Sequence, residues 1–172
     1  MNRRSFLTRL ALAAGAVALA PLACGRSNPE SGNGAGQLGH DPGYWRDILP
    51  EKRFRILFQD GTEPAFSSPL DSEWREGTYV CAACYLPLFS SLDKFDSGTG
   101  WPSFTRPVPN SMGTRRDYKL ILPRTEYHCI RCGGHQGHVF DDGPPPTGQR
   151  WCNNGLALEF VALGDSLPEL RG

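Results

Sequence analysis

Four of the six cysteines form two Cys-x-x-Cys pairs, a spacing typical of metal ligation. The pairs are Cys81 with Cys84 and Cys129 with Cys132. Both thiolates of a pair can reach one tetrahedral ion, so the two pairs together predict a complete four-cysteine zinc site. The 44 residues between Cys84 and Cys129 exceed the usual spacing of a zinc ribbon. The ion would therefore join two distant hairpins and act as a structural metal.

Two other interpretations of these pairs stay open. The first is a set of structural disulfides, because the export signal described below would bring the chain into an oxidising compartment. The second is a redox Cys-x-x-Cys motif. That motif normally lies at a strand-to-helix junction, whereas strand-like segments and turns flank both pairs here.

One thiol, Cys152, remains outside the pairs and outside the N-terminal signal. If residues 149–154 are extended, Arg150 and Asn154 project from the same face as Cys152. A nearby cation lowers the pKa of a thiol and favours the nucleophilic thiolate. The alternatives are a buried cysteine that acts only as a small apolar side chain, and a tight turn at Asn154 and Gly155 that breaks the register.

Other residues could converge on this thiol. His135 and His138 can donate or accept protons near neutral pH, or they are ordinary surface histidines. Asp142 is a candidate ion-pair partner for Arg150. Trp101 lies on a constrained Gly-Thr-Gly loop and faces either a ligand or the core.

The elements that must position these residues are mostly short strands. Two helices are predicted near the start of the domain, one over residues 44–49 and one from Pro50 to about Gly61. Beyond Gly61 no apolar pattern keeps a 3.6-residue period for long. Short apolar runs bounded by turn residues predict strands at 78–80, 118–122, 126–130 and 156–163. We therefore expect a mainly β fold with an antiparallel core and a short helical N-terminal part.

Residues 1–24 have the pattern of an export signal. Three arginines and no acid are followed by an apolar run of small residues, shorter than the roughly 20 residues that a membrane span needs. Residues 2–8 resemble a twin-arginine motif, which implies export of the folded protein to the periplasm or cell envelope.

The residues after the signal separate it from a single domain. Either a lipoprotein site at Cys24 tethers the chain to a membrane surface, or a signal peptidase cuts nearby and removes Cys24. Residues 25–39 are rich in Gly, Ser, Asn and Pro and predict a flexible linker, so the domain spans residues 40–172. Loss of residues 1–24 removes three Arg and leaves 15 basic against 18 acidic residues, which gives no support to a nucleic-acid partner.

Three motifs resemble the methionine-R-sulfoxide reductases of the B type. They are Phe-Asp-Ser-Gly-Thr-Gly-Trp-Pro-Ser-Phe at 95–104, Gly-His-Val-Phe-Asp-Asp-Gly-Pro at 137–144 and Arg-Trp-Cys-Asn-Asn at 150–154. With both Cys-x-x-Cys pairs in order, the resemblance spans about residues 44–163. It implies two antiparallel sheets in a tent-like arrangement with zinc at one end, which agrees with the β fold expected above.

The resemblance implies a reaction at Cys152. This sulfur would attack the sulfur of a methionine-R-sulfoxide, release methionine and be left as a sulfenic acid. Trp101 would pack against the methyl group on the substrate sulfur. His135, His138 and Asn154 would orient the substrate, supply a proton to the oxygen and hold the thiolate.

The resemblance further implies that Arg150, steadied by Asp142, places positive charge near the sulfur. Many family members carry a resolving cysteine where Thr99 stands, so the sulfenic acid cannot close a disulfide with that position. We expect an external thiol donor, such as a thioredoxin-like protein, to reduce it; movement of a metal-site cysteine is the alternative. Tyr85 in place of Gly and Trp151 in place of Tyr also depart from the family pattern.

Two other function classes stay open on the sequence alone. One is a zinc-stabilised β-tent binding module without catalysis, in which Cys152 is incidental. The other is a thiol-dependent carbon–sulfur or aldehyde enzyme with catalytic zinc, which would need an open coordination position that four cysteines do not leave. We expect a monomer that acts on methionine-R-sulfoxide, either in oxidised envelope proteins or as the free amino acid.

Overall fold

The computed structural model describes residues 37–119 and 122–172. Within these ranges the chain forms two α-helices, α1 (Pro42–Ile48) and α2 (Glu51–Phe58), followed by nine β-strands. The strands are β1 (Gly77–Cys81), β2 (Pro87–Ser90), β3 (Lys94–Phe95), β4 (Ser103–Phe104), β5 (Met112–Asp117), β6 (Arg124–Cys129), β7 (His135–Phe140), β8 (Arg150–Asn153) and β9 (Leu158–Ala162). The predicted export signal, Cys24 and linker residues 25–36 lie outside the described residues.

Both predicted helices are present and pack against each other. Asp41 caps α1 by accepting the backbone N–H of Gly43 at 2.7 Å, and Pro42 suits the first helical turn. Trp45 of α1 is fully buried and stacks on Phe58 of α2, with ring centroids 5.4 Å apart. Neither these helices nor any other helix in the described ranges has the length and apolar character to cross a membrane.

The strands form two antiparallel sheets. β2, β1 and β9 make a three-stranded sheet with β1 in the centre. The second sheet has six strands in the order β3-β4-β8-β7-β6-β5. Every strand pairing in the two sheets is antiparallel. The mainly β fold with two antiparallel sheets is therefore confirmed.

Aromatic side chains fill the space between the two sheets. Tyr79 of β1 and Phe89 of β2 both contact Phe104 of β4, with ring centroids 5.0 and 4.1 Å apart. These three side chains and Tyr127 of β6 are fully buried. Because side chains alternate along a strand, the opposite face of the six-stranded sheet carries Cys152 and its neighbours.

Of the strand predicted at 118–122, residues 120 and 121 lie outside the described residues, and Tyr118, Lys119 and Leu122 are not in a strand. The structure instead places β5 at Met112–Asp117, paired with β6. β5 is an edge strand whose middle residues, Thr114, Arg115 and Arg116, are exposed and polar or charged, so no apolar pattern marks it in the sequence. It ends where the Asp117 side chain accepts the backbone N–H of Lys119 at 2.9 Å.

Candidate active site

Cys152 lies on β8 inside the six-stranded sheet, and the strand register decides what surrounds it. Ser103 of β4 is its register partner on one side and His138 of β7 is its partner on the other. His138 pairs in turn with Glu126 of β6, and Glu126 pairs with Arg115 of β5. Directly opposed side chains project from the same face of a sheet. These five side chains therefore form one row across the same face of the sheet.

A cleft of about 220 Å³ opens above Cys152, whose side chain is half-buried. It is lined by Thr62, Thr99, Trp101, Arg124, Gly137, His138, Phe140, Arg150, Cys152, Asn153 and Asn154. The fold thus brings five of the seven residues singled out for the reaction and the substrate to one cleft. The other two, His135 and Asp142, stand behind His138 and Arg150 as described below.

The loop before β4 holds Trp101 at the edge of this cleft. Gly100 has φ +81°, in the region that favours glycine, and a Cβ there would lie 2.7 Å from the Phe66 ring. The backbone N–H of Phe66 donates to the Gly100 carbonyl at 2.7 Å. The indole N–H of Trp101 donates to the carbonyl of Glu63 at 3.2 Å. Trp101 is half-buried and borders the cleft, so of its two sequence interpretations the structure favours the residue that faces a ligand.

Three hydroxyl groups lie together on the other side of Cys152. The Ser97 hydroxyl is 2.8 Å from the Thr99 hydroxyl and 2.8 Å from that of Ser103. Thr99 borders the cleft and Ser103 is the register partner of Cys152. Position 99 is therefore next to the Cys152 sulfur, and in this chain it supplies a hydroxyl group.

Arg150 is buried beside Cys152 and is held from two sides. Its guanidinium donates to both carboxylate oxygens of Asp142, at 2.8 and 2.9 Å. It also lies over the Phe140 ring, 4.3 Å from the centroid. Asp142 itself is exposed, and its two hydrogen bonds fix the direction of the guanidinium.

The pKa of Cys152 is raised, whereas the sequence analysis expected a lowered pKa. Burial raises the pKa of the thiol above its ordinary 9.0, and Arg150 with the Thr99 and Ser103 hydroxyls offsets burial only in part. Arg150 lowers this pKa, as the sequence analysis expected, but burial outweighs the guanidinium in the free protein. At neutral pH Cys152 is a thiol.

His138 has a carboxylate partner that the sequence analysis did not identify. Its Nε2 lies 2.8 Å from Oδ2 of Asp117, which also accepts from the Arg124 guanidinium at 2.6 Å. Burial lowers the pKa of His138, and the hydrogen bond to Asp117 opposes burial only in part. His138 is thus neutral at neutral pH, directly across from a protonated Cys152.

His135 lies behind His138 and does not border the Cys152 cleft. It is almost fully buried, and its ring stands edge-on to that of His138 with centroids 5.4 Å apart. Its Nδ1 is 2.7 Å from the carboxylate of Glu126, which Arg115 also contacts at 2.8 Å. Burial would raise the pKa of Glu126, but hydrogen bonds from His128 and His135, with the charges of His135 and Arg115, hold it at about 2.

Asn154 borders the cleft, but its amide is occupied by backbone groups. Its NH₂ donates to the carbonyl of Gln136 at 3.0 Å, and its oxygen accepts the N–H of Glu63 at 3.2 Å. β8 stops at Asn153, and Asn154 precedes a short 3₁₀ turn at Gly155–Ala157. Strand pairing therefore ends one residue before Asn154, which keeps extended backbone angles, and the turn that follows is not a hairpin.

Sequence reasoning also missed Glu63, Asp117 and Glu126. Glu63 is buried and accepts the backbone N–H groups of Gly155 and Leu156 at 2.5 and 2.9 Å, which ties the loop carrying it to the end of β8. The one available signal was the alternation of charged or polar residues at positions 124, 126 and 128 of β6. That alternation indicates that one face of β6 is polar, but it does not show which residues of the neighbouring strands pair with these positions.

The four predicted metal ligands form one cluster. All four sulfurs lie within 4.8 Å of one another, with Cys81 and Cys132 3.6 Å apart and Cys84 and Cys129 3.6 Å apart. A disulfide needs about 2.05 Å, whereas a tetrahedral zinc with bonds of about 2.3 Å separates its sulfurs by about 3.8 Å. The four side chains are buried. Their geometry and donor type therefore fit a zinc ion.

Chain segments from both ends of the described residues cover this cluster. Gln37 and Leu38 donate backbone N–H groups to the carbonyls of Ile130 and Arg131, at 3.1 and 2.9 Å. The N–H of Arg171 donates to the Cys84 carbonyl at 3.1 Å. The Arg171 guanidinium also stacks on Tyr85, 4.2 Å from the ring centroid.

Tyr85 has φ +63° in the turn of the first Cys-x-x-Cys pair, a conformation that favours glycine. Its ring stacks on Arg171, so the aromatic side chain at this position contributes a contact that glycine would not make.

Comparison with known proteins points to one family. The SelR domain model matches residues 49–162. A peptide methionine sulfoxide reductase MsrB of Leptospira interrogans is 50% identical over 117 residues, which cover 67% of this chain and 89% of the relative. The MsrB of Agrobacterium fabrum is 49% identical over 117 residues, 67% of this chain and 87% of its own. A chloroplastic peptide methionine sulfoxide reductase B1 of Arabidopsis thaliana is 47% identical over 120 residues, 69% of this chain and 59% of the relative.

Proposed function

Because the chain belongs to the SelR-domain family of methionine-R-sulfoxide reductases, the B type, we propose that Cys152 is the nucleophile of this reaction. The protein is a peptide-methionine (R)-S-oxide reductase. The observation that carries the assignment of Cys152 is its place in the cleft, opposite His138 and within reach of Trp101. The four other cysteines of the described ranges are buried in the cluster.

The proposed step balances without an added proton. The Cys152 sulfur attacks the sulfoxide sulfur, and the oxygen ends on Cys152 as a sulfenic acid while the substrate leaves as a thioether. One S–O bond breaks and one forms, and two electrons pass from the cysteine sulfur to the substrate sulfur. The hydrogen of the thiol ends on the sulfenic acid oxygen.

His138 is the group placed to carry that hydrogen. Because burial raises the pKa of Cys152 and lowers that of His138, at neutral pH the sulfur keeps its proton and the imidazole is neutral with one ring nitrogen free to accept it. His138 accepts it as the sulfur attacks and returns it to the sulfoxide oxygen, which leaves poorly until protonated. Arg150, oriented by Asp142, stabilises the negative charge on the attacking sulfur.

The remaining predicted residues shape the site. Trp101 and Phe140 supply apolar walls of the cleft for the methyl group of the substrate. Asn154 joins the backbone segments at 63 and 136, so we assign it the role of holding the cleft together. His135 supports His138 from behind and connects it to Glu126.

The surroundings of the cleft favour an oxidised residue in a polypeptide as substrate. Two further grooves, of about 390 and 510 Å³, lie on the surface beside the Cys152 cleft. Thr62 borders all three, and Arg124 and His138 border both the first groove and the Cys152 cleft, so the grooves adjoin the cleft. A free amino acid would fill only the Cys152 cleft, whereas a polypeptide would also contact the adjoining grooves.

The four-cysteine cluster is assigned to a structural zinc ion. Cys81, Cys84, Cys129 and Cys132 would hold it, and four thiolates fill a tetrahedral coordination sphere. The ion would join the end of β1 to the end of β6 and so brace the two sheets. Its contribution is to folding.

Regeneration of the sulfenic acid is assigned to an external thiol reductant, for example a thioredoxin-like protein. Position 99, next to the reacting sulfur, is a threonine, and the cluster cysteines are buried. With the twin-arginine-type signal at residues 1–24, the protein would repair oxidised envelope proteins as a monomer.

An epimer-resolved assay of residues 37–172 and the full chain tests the proposal. The substrates are a peptide with methionine-R-sulfoxide, the same peptide with the S epimer, and free methionine-R-sulfoxide, with dithiothreitol as reductant. We expect reduction of the R epimer, faster in the peptide, and loss of at least about 10³-fold in Cys152→Ser. If Cys152→Ser reduces the peptide as fast as the wild type, Cys152 is not the nucleophile. If the wild type binds the peptide without reducing it, the zinc-stabilised binding module is favoured.

A further inference from the structure

Asp117 stands at the end of β5, and hydrogen-bond donors surround its carboxylate. Oδ2 lies 2.8 Å from Nε2 of His138 and 2.6 Å from the guanidinium of Arg124. Oδ1 accepts the backbone N–H of Lys119 at 2.9 Å. The side chain is only 9% exposed. Three donors therefore meet one acceptor group in a largely buried position.

These contacts keep Asp117 ionised. Burial alone would raise the pKa of the carboxyl, but hydrogen bonds from Lys119, His138 and Arg124 outweigh burial and hold the pKa well below its ordinary range. An ionised carboxylate can only accept hydrogen bonds. The hydrogen in the contact between Asp117 and His138 therefore belongs to Nε2 of His138.

A neutral imidazole carries a single N–H, so a hydrogen on Nε2 leaves Nδ1 with the free lone pair. We propose that Asp117 is a positioning residue that selects this tautomer of His138 and so makes Nδ1 the acceptor of the Cys152 thiol proton. The inference rests on the proposed function, because Asp117 acts only through His138. The proton that leaves sulfur resides on Nδ1 and then passes to the sulfoxide oxygen, while the hydrogen on Nε2 stays in place.

Charged and titratable groups reach His138 from each strand packed against it. They are Asp117 and Arg115 from β5, Arg124 and Glu126 from β6, His135 on β7 itself, and Cys152 and Arg150 from β8. Burial disfavours the imidazolium form most strongly, and the charges of Arg124 and His135 add to that effect. Asp117 is the group that opposes them. Its removal therefore lowers the pKa of His138 further and also releases the tautomer.

Two variants separate the charge of Asp117 from its acceptor oxygen. In Asp117→Asn the amide oxygen can still accept from His138 and Arg124, but the NH₂ group then faces the backbone N–H donor of Lys119 and that hydrogen bond is lost, so this variant removes the charge and keeps the acceptor for His138. Asp117→Ala removes both. We therefore expect a graded loss, larger in the Ala variant.

The experiment measures single-turnover reduction of an N-acetylated methionine-R-sulfoxide peptide, together with ¹⁵N NMR of the imidazole rings in the zinc-loaded protein. We expect the rate constant to fall on the order of 100-fold in Asp117→Ala and about tenfold in Asp117→Asn, with little change in the half-saturating peptide concentration. In the wild type the His138 signals should show hydrogen on Nε2. In Asp117→Ala they should show a mixture of tautomers, with a titration midpoint lower by about one to three pH units.

A double-mutant cycle with His138→Ala separates positioning from a general structural role. Asp117→Asn should cost nothing more in the His138→Ala background, because its effect passes through that ring. The matched control is Asp47→Asn, an exposed acid on α1, which should leave rate and spectrum unchanged.

The possible outcomes distinguish the role of His138 in the reaction from the role of Asp117 in positioning His138. If His138→Ala reduces the peptide at the wild-type rate, His138 does not carry the proton and the role of Asp117 falls with it, whereas failure of the proposed nucleophile shows separately as undiminished reduction by Cys152→Ser. If His138→Ala is inactive while Asp117→Asn and Asp117→Ala keep the wild-type rate and tautomer, the inference alone is overturned. An equal additional loss from Asp117→Asn with and without His138 would likewise overturn it, since that loss would be structural.

Discussion

The described cysteines occupy two regions that give the same side chain different chemistry. In the cluster, four buried sulfurs lie within 4.8 Å of one another and suit a metal ion. Cys152 stands alone in a cleft of about 220 Å³, half-buried and next to hydroxyls, a guanidinium and an imidazole. The comparison teaches that neighbours and access decide whether a cysteine is structural or reactive.

The two regions are also built differently. Each Cys-x-x-Cys pair lies where a strand ends, Cys81 at the end of β1 and Cys129 at the end of β6, so local turns set the spacing within a pair. Cys152 lies within β8, and its partners come from distant strands through the register of the sheet. The cluster therefore depends on local geometry and on the ion, whereas the reactive site depends on long-range pairing.

The largest expected effect is a loss of stability when the four-cysteine cluster is disrupted. Cys129→Ser, or removal of zinc by a chelator, should unfold the domain at ambient temperature, because a structural zinc contributes on the order of 10 kcal/mol and total stability is about 5–15 kcal/mol. Zinc content and thermal unfolding of the purified protein check this. Cys152→Ser is the control and should keep both the metal and the Tm. A chelated protein with an unchanged Tm would contradict a structural zinc.

The next largest effect is expected when a second thiol is introduced beside Cys152. Thr99→Cys places a sulfur where the Thr99 hydroxyl borders the cleft, next to Cys152. After one turnover without reductant, we expect most of this variant to lose two free thiols by forming an intramolecular disulfide, and the wild type to be labelled by a sulfenic acid reagent. Thiol counting and mass spectrometry of zinc-loaded protein check this. An intramolecular disulfide already present in the turned-over wild type would contradict external reduction.

The smallest effect concerns the pKa of Cys152. Burial raises this pKa and Arg150 partly offsets it, so removal of the cation in Arg150→Met should raise the pKa further. At a fixed pH below the pKa, alkylation by iodoacetamide should slow about tenfold, and the midpoint of its pH profile should move upward. Arg46→Met removes an exposed cation on α1, outside the cleft, and as the control it should not slow alkylation. Faster alkylation of Arg150→Met would show that the guanidinium shields the sulfur instead of stabilising its anion.

Much of the fold could be predicted from local patterns. Apolar residues at helical spacing, such as Trp45 and Phe54, with Pro50 at the start of the second helix, predicted both helices, although α1 begins at Pro42, two residues before the predicted start. The spacing of the cysteine pairs predicted the cluster, because two residues between thiols suffice to define a turn that presents both. β5 was misplaced because an exposed edge strand has no apolar face to mark it.

The sequence by itself determined which groups were available: a paired set of thiols, one lone thiol at Cys152, and the motifs that carry the family resemblance. Only the tertiary structure decided that Glu126, His138 and Ser103 share a row with this sulfur, since strand register joins residues far apart in the chain. It also decided the direction of the Cys152 pKa. The physical reason is that desolvation depends on how the whole sheet and its loops pack over one atom, and no short stretch of sequence records that packing.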